Sequence, residues 1–133
     1  MRHKSHGAVV AVFGLLLAAL PALAHHSISS EFDPSKEFSV KGVLTRLEWV
    51  NPHIFYFVDV KDEKTGKVET WSFQGNPPGT YYRAGLKKTD WRIGELVTIT
   101  AAAAKDGTKH AGFSKMIKYH SDGHVLVFRV GGE

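Results

Sequence analysis

The chain has 133 residues, with 17 basic and 13 acidic side chains, eight histidines and no cysteine. This length is enough for one domain with a modest hydrophobic core. Because cysteine is missing, disulfides and thiolate metal sites are excluded. Any metal ion has to be held by histidine, carboxylate or backbone nitrogen.

Residues 1–24 have the pattern of a secretory signal peptide. Arg2 and Lys4 precede an apolar run from Ala8 to Leu20, and the sequence Ala-Leu-Ala at 22–24 provides small residues for cleavage. The run is shorter than the about 20 apolar residues that a spanning helix needs. The sequence therefore predicts cleavage after Ala24, a periplasmic location and no stable membrane span in the mature protein.

Cleavage changes the charge balance of the chain. Removing 24 of the 133 residues leaves 109, and taking two basic residues from the 17 leaves 15 against 13 acidic ones, a net charge of +2. No basic block remains that is typical of nucleic-acid binding. From this balance we expect an unknown periplasmic partner or a small ligand, and no nucleic acid.

The mature chain begins with a segment that has no regular period. Residues 25–36 show neither helical nor strand alternation, which predicts an extended arm held by Ile28 and Phe32. From Phe38 onward apolar and polar residues alternate, and the phase of this alternation changes near Gly42. A glycine at a phase change predicts a bend or bulge in a long first strand.

The remaining pattern is that of short strands separated by turns. The dipeptide Asn51-Pro52 ends the first strand, and further strands are predicted at about 53–60, 67–73, 95–102, 111–120 and 125–130. A short helix is predicted at 80–84, capped by Gly85. A helix between the third and fourth strands favours an all-β domain over 37–133, a small antiparallel OB-like β-barrel, with a β-sandwich as the alternative.

Several short motifs carry a family resemblance. They are Ala24-His25-His26-Ser27, the Gly42-Val43 strand, Asn51-Pro52-His53, Trp71 and Lys105-Asp106-Gly107. In this order and spacing the chain resembles domain-of-unknown-function family 6152, small exported bacterial proteins, over essentially the whole mature sequence. The resemblance implies a periplasmic domain. It supplies no established activity, and no catalytic residue is carried over.

The predicted mature terminus is a candidate metal site. Cleavage makes His25 the first residue, so that its α-amine and its Nδ1 can chelate one ion, and a further histidine would complete a histidine brace. Three nitrogen donors in a T-shaped arrangement suit the tetragonal geometry of Cu(II). His26 offers a second mode through the amine, the intervening amide and its own imidazole. The alternative is that both histidines are solvated.

His53 is the candidate for the additional ligand, because it begins the second strand beside a proline turn. Its alternative role is structural, with a ring nitrogen bonded to Asn51 or to a backbone carbonyl.

His120 and His124 are a candidate second metal site. A three-residue loop ending at a left-handed Gly123 would place them opposite each other. A two-residue Asp122-Gly123 turn would place them on opposite faces. The alternative to a metal site is an exposed hairpin tip. His110 is predicted to be a solvated loop residue.

Aromatic residues provide a candidate ligand groove. Tyr81 and Tyr82 are adjacent and cannot both face inward from one helical turn, so one of them is expected to line a groove together with Trp49.

The sequence contains no phosphate-binding glycine loop and no nucleophile elbow. It favours an exported, non-catalytic binding module that holds Cu(II) or another divalent ion through His25. The alternative is a metal-free module that binds a peptide, glycan or partner protein on its aromatic face. A copper-dependent oxygenase is disfavoured because the chain is short for an extended substrate platform.

Overall fold

A computed structural model of the chain describes residues 28–128. The predicted signal peptide, its cleavage site, His25 and His26 lie outside the described residues, as does the predicted end of the sixth strand. The elements are α1 (Ile28–Glu31), β1 (Phe32–Glu48), β2 (Phe55–Lys61), β3 (Val68–Gln74), α2 (Pro78–Arg83), a 3-10 turn (Lys88–Asp90), β4 (Leu96–Ala104), β5 (His110–Tyr119) and β6 (Val125–Val127). In this part of the chain no helix is long and apolar enough to cross a membrane.

The strands close into a barrel. Their order is β3-β2-β1-β4-β5-β6, with antiparallel neighbours, and β5 also pairs with β3 in parallel at Ser72↔His110 and Phe73↔Ala111. Five strands therefore form a ring, while β6 adds to the far end of β5. The predicted all-β, OB-like barrel is confirmed, and the β-sandwich alternative is wrong because the sheet bonds back to itself.

The core fills the inside of this ring with side chains that alternate along each strand. On β2, Tyr56 and Val58 point inward and are fully buried. Tyr56 donates its hydroxyl hydrogen to Ser114, so that the buried polar group is satisfied. Helix α2 and the 3-10 turn cover the end of the barrel, where Tyr81 and Trp91 join the same core.

The N-terminal segment differs from the predicted extended arm. Residues 28–31 form a single helical turn, and β1 begins at Phe32, which pairs with Ala104. An irregularity between Asp33 and Glu37 then interrupts the register with β4. At its start the Asp33 carboxylate accepts the Ser35 N–H at 3.0 Å. Because of this bulge, apolar and polar residues do not alternate regularly here, so the sequence pattern does not show that the strand begins at Phe32.

The phase change in β1 lies three residues beyond the predicted place. Gly42 pairs regularly with Val97, and the register with β2 shifts between Leu44 and Arg46. Gly42 instead allows close approach of β2, because a Cβ atom there would lie 2.4 Å from the Asp59 carbonyl oxygen. The glycine therefore serves packing, and the bulge follows it.

A third irregularity divides β5. Thr100 pairs with Met116 and Ala102 with Gly112, so that three residues of β5 lie opposite one residue of β4. Phe113, within this bulge, has a left-handed φ of 48°. The bulge separates the half of β5 that pairs with β3 from the half that pairs with β6.

Candidate functional site

His53 links the turn after β1 to the end of β3. Its Nδ1 lies 3.0 Å from the carbonyl oxygen of Gly75. A carbonyl oxygen only accepts, so Nδ1 carries a hydrogen, and in the neutral tautomer that does so Nε2 has the lone pair. This contact is the one that the structural alternative predicted for His53, a ring nitrogen bonded to a backbone carbonyl. The same tautomer is also the one that a metal-binding histidine requires.

His120 and His124 are not opposite each other. Lys118 pairs with Val125, and the Tyr119 N–H donates to the His124 carbonyl oxygen at 2.8 Å, so Tyr119 faces His124 across a loop of residues 120–123. His120 Nε2 instead lies 2.9 Å from the Thr98 hydroxyl, and the His124 ring stacks on Tyr119. The loop is longer than both predicted turns, which accounts for the different register.

The carboxylate of that loop is already engaged. Asp122 accepts the His124 N–H at 2.8 Å and a hydrogen bond from Arg92 at 2.8 Å. These two contacts, the backbone one first, hold the pKa of the Asp122 carboxyl below its usual value. The loop is thus cross-linked to the segment before β4.

His110 occupies the seam where β5 meets β3, and the prediction of a solvated loop residue is wrong. It is the first residue of β5, and its side chain is only 21% exposed. The ring lies between Phe32, with centroids 5.0 Å apart, and Phe55, with centroids 6.2 Å apart and planes 23° from parallel. Two aromatic side chains therefore hold the imidazole in place.

Both ring nitrogens of His110 have polar neighbours. Nδ1 lies 2.6 Å from the Ser72 hydroxyl oxygen, and Nε2 lies 3.5 Å from a carboxylate oxygen of Glu31. We refer to His110, Ser72 and Glu31, with the rings of Phe32 and Phe55, as the seam cluster. Its members come from α1, β1, β2, β3 and β5, and only barrel closure brings them together.

Neighbouring charges are paired separately from the seam cluster. The Lys109 ammonium lies 2.6 Å from a carboxylate oxygen of Glu69. This contact, with a smaller contribution from Lys67, lowers the pKa of the Glu69 carboxyl. The cation adjacent to His110 in the sequence is thus directed toward Glu69.

The segment that precedes the seam cluster is fastened to the barrel. The Lys105 ammonium donates to the Ser29 carbonyl oxygen at 2.8 Å, and the Lys105 N–H donates to the Glu31 carbonyl oxygen at 2.9 Å. Phe32 is fully buried against Gly112, where a Cβ atom would lie 2.4 Å from the ring. The chain is therefore fixed from Ser29 onward.

The three predicted groove residues lie together at the end of the barrel. Trp49 Nε1 donates to the Tyr82 hydroxyl at 3.2 Å, and the Trp49 ring lies 5.7 Å from that of Tyr81. Tyr81 is 4% exposed and Tyr82 is 55% exposed. Tyr81 also lines a cavity of about 80 Å³ with Asn76, Thr80, Ala84, Leu86, Val127 and Phe128.

Metal-binding side chains do not form a complete cluster in residues 28–128. No three histidine, aspartate or glutamate side chains gather there in an arrangement that could hold an ion. His110 and Glu31 form a pair.

Known proteins provide matches for the fold and for the family of this chain. No curated protein matches the sequence. A crystal structure of the mitochondrial single-stranded DNA binding protein Rim1 from S. cerevisiae has a TM-score of 0.48 at 16% identity, covering 68% of this chain and 95% of that chain. A selenomethionine-labelled crystal structure of the same protein has a TM-score of 0.46 at 21% identity, covering 64% and 93%. At these identities the likeness concerns the fold alone.

These matches overturn the exclusion of nucleic acid that was drawn from the net charge. Both matching structures are of a protein described as a mitochondrial single-stranded DNA binding protein. A small net charge is therefore no ground for removing nucleic acid from the classes of partner.

The sequence also matches a family description. The match covers residues 12–113, which is more than half of the chain and includes β1 to the first part of β5. The protein therefore belongs to the family described as "Family of unknown function (DUF6152)".

Proposed function

We propose that the protein is an exported, periplasmic, non-catalytic binding module that holds Cu(II) or another divalent metal ion with its mature N-terminus. Cleavage after Ala24 gives His25 a free α-amine, and this amine with Nδ1 forms a chelate. An α-amine titrates at about 7.7–8.0, so its deprotonation near neutral pH is easily offset by metal binding. His26 contributes a further imidazole.

The anchoring of the segment after these histidines is the observation that carries the proposal. Only Ser27 separates His26 from α1, and the Ser29 and Glu31 carbonyl oxygens are both bonded to Lys105. A chelating terminus on so short a tether has few conformations to lose when it binds an ion. The anchoring therefore favours a metal site at a defined place on the barrel surface.

We assign no catalytic role to the seam cluster. Ser72 lies next to a histidine base, which is the first requirement of an activated nucleophile. However, its own amide, the donor closest to a developing oxyanion, already donates to the Lys109 carbonyl oxygen at 3.1 Å. Ser72 is better explained as a hydrogen-bond partner that orients His110.

Mass spectrometry of the exported protein, followed by Cu(II) titration, tests the proposal. We expect a first residue of His25, one tightly bound ion per chain, and a d–d absorption band. The matched variant carries a glutamine before His25 that has cyclised to pyroglutamate. It keeps both imidazoles and removes the amine, so its affinity should fall by about 100-fold.

The control is His124→Gln, which removes an exposed histidine away from the terminus and should leave the affinity unchanged. A mature protein that starts at another residue would overturn the proposal. So would a correctly processed protein that has no Cu(II) spectrum.

A second candidate function is metal-free binding of a glycan or peptide on the aromatic face. It is favoured by the Trp49–Tyr82 contact, with the exposed Tyr82 ring at its rim. The adjoining cavity of about 80 Å³ is far below the about 300–1,000 Å³ of a small-molecule pocket, so the ligand would lie across the surface. Binding should then persist in a chelator and be lost in Tyr82→Ala, as followed by tryptophan fluorescence.

A further inference from the structure

We propose that the free edge of β6 binds an extended segment of a partner polypeptide, which adds to the six-stranded sheet as a further strand. The site consists of Val125–Val127 and of the cavity between β6 and α2. This inference goes beyond the proposed function, because it needs neither a metal ion nor the Trp49–Tyr82 contact.

The hydrogen-bonding groups of β6 alternate between β5 and the open edge. The Phe128 N–H donates to the Lys115 carbonyl oxygen at 2.8 Å, so Phe128 faces β5. Backbone groups point to alternate sides along a strand, and those of Leu126 therefore face β5 too, whereas the N–H and C=O of Val125 and Val127 face away from it. Within residues 28–128 these groups of Val125 and Val127 have no backbone partner.

This edge is exposed as well as unpaired. The ring of the barrel closes through the pairing of β3 with β5, which leaves β6 outside the ring. Val127 is 64% exposed and Val125 is 37% exposed, while Leu126 is buried and anchors the strand to the core. An apolar edge strand without proline or charge is a template for pairing with another chain.

A cavity of about 80 Å³ adjoins the edge on its α2 side. Its lining combines one end of β6 with the segment around α2, through Val127, Phe128, Asn76, Thr80, Tyr81, Ala84 and Leu86. The ring centroids of Tyr81 and Phe128 are 5.6 Å apart, so α2 closes the groove at that end. A cavity of about 150 Å³ holds a benzene ring, so this smaller one suits a single aliphatic side chain such as that of valine.

Strand addition to an exposed sheet edge is a recurring mode of peptide recognition. Main-chain hydrogen bonds supply the affinity, and pockets for alternate side chains supply the specificity. Here Val125 and Val127 offer both donors and acceptors, and the cavity can receive one side chain. We therefore expect a partner segment in which a small aliphatic residue enters the cavity while its two neighbours point the other way.

The charge around the cavity favours an acidic partner segment. Arg83 Nη2 donates to the hydroxyl of Thr80, which lines the cavity, at 3.3 Å. Lys87 and Lys88 directly follow Leu86, another lining residue. None of the ion pairs formed among residues 28–128 involves any of these three cations. Carboxylates that flank the aliphatic residue of the partner would complement them.

An NMR titration of the protein with a synthetic peptide tests the inference. The probe is the extended peptide acetyl-Glu-Thr-Val-Thr-Glu-amide, which carries one aliphatic residue between two carboxylates. We expect saturable shifts of the Val125 and Val127 amide signals. Hydrogen exchange of these two amides should be fast in the free protein and at least about tenfold slower when the peptide is bound.

Val127→Pro removes one free N–H of the edge and retains the hydrogen bonds to β5, because the N–H of residue 127 faces away from that strand. Proline is tolerated on an edge strand for this reason. The peptide affinity should fall by about tenfold. Val127→Ala is the matched control, since it shortens the side chain but keeps the N–H, and it should change the affinity by less than about threefold.

A variant away from the edge keeps the inference testable even if Val127→Pro fails to fold. Ala84→Leu fills the cavity from its rim and leaves the backbone of β6 unaltered. It should weaken peptide binding by about tenfold, because the aliphatic side chain of the peptide can no longer be buried.

Other occupants of the edge would give different results, and each of them would overturn the inference. Slow exchange of the Val125 and Val127 amides in the free protein would show that the edge is already covered. Self-association in sedimentation that Val127→Pro removes would assign the edge to a second copy of the chain. Peptide binding that persists in Val127→Pro but is lost in Tyr82→Ala would assign the peptide to the aromatic face. Absence of any shift at millimolar peptide would leave the edge without this kind of partner.

Discussion

Gly42 shows at the scale of one residue how closely two strands of this barrel approach. A Cβ atom at this position would lie 2.4 Å from the Asp59 carbonyl oxygen and 2.7 Å from a Val58 methyl carbon. Both contacts are too short to persist, and one of them is with backbone. We therefore expect Gly42→Ala to separate β1 from β2 and to lower the free energy of unfolding by about 1–3 kcal/mol, measured by urea denaturation.

The control is Gly79→Ala, the same chemical change made on α2. A Cβ atom there would meet only the far end of the Arg83 side chain, at 3.4 Å. Alanine favours a helix over glycine by about 0.5–1 kcal/mol, so this variant should be as stable as the unaltered protein or slightly more so. Equal stabilities of the two variants would contradict the close-approach explanation for Gly42.

His53 and His110 illustrate why residue type alone does not define a role. His53 follows a proline turn, and its Nδ1–H bonds a carbonyl oxygen across the barrel end. His110 follows a lysine in a polar loop, yet it lies between two aromatic rings at the seam. The partner atoms, and not the local sequence, distinguish the two histidines.

At the scale of elements, α1 and the start of β1 form a unit beside the main barrel. Phe32 belongs to a small cluster with Ala102 and Ala104, on which Phe113 packs, and this cluster is separate from the principal core. The bulge between Asp33 and Glu37 lies between this unit and the regular part of β1. The unit can therefore be released without opening the barrel.

Phe32→Ala should release this unit locally. Removing a buried phenylalanine costs about 3–5 kcal/mol, and the loss should fall on residues 28–36 because their packing depends on this ring. Hydrogen exchange should accelerate in that segment while β2 and β3 stay protected. Met116→Ala, a truncation at an exposed position of β5, should leave the exchange pattern unchanged.

The same variant bears on metal binding. Under the proposed function, detachment of residues 28–36 releases the segment that carries the N-terminal histidines, so the Cu(II) affinity should fall together with the exchange protection. Cooperative unfolding of the whole barrel in Phe32→Ala would contradict the division into two units.

At the scale of the whole molecule, three buried tyrosines couple stability to alkaline pH. Burial raises the pKa of Tyr56, of Tyr81 and of Tyr119 above the ordinary value of about 10. Above pH 10 the unfolded chain releases these protons while the folded chain keeps them. The unfolded state then binds fewer protons, so the free energy of unfolding decreases as pH rises.

We expect stability that is retained below pH 10 and falls above it, by up to about 1.4 kcal/mol per pH unit for each buried tyrosine. Urea unfolding at a series of pH values measures the slope. Tyr56→Phe should make the slope shallower, whereas Tyr82→Phe, a change at the surface, should retain it. A slope that is identical in all three proteins would contradict this coupling.

The class of fold could be predicted from the sequence alone. Alternation in β2, the turn signals between strands and the helix before Gly85 were sufficient to predict an OB-like barrel, because side-chain period and turn chemistry are local properties. The family followed from motifs in a fixed order. Cleavage after Ala24 and export remain predictions, and they concern residues outside the described part of the chain.

Long-range contacts set where β1 begins and which residues meet at the seam. The bulge after Asp33 interrupts the period, so the pattern missed the start of the strand. Ser72 and His110 are 38 positions apart and come together through the parallel pairing of β3 with β5. Alternation tells which face of a strand a side chain occupies, but the neighbour across that face is set by closure of the whole ring.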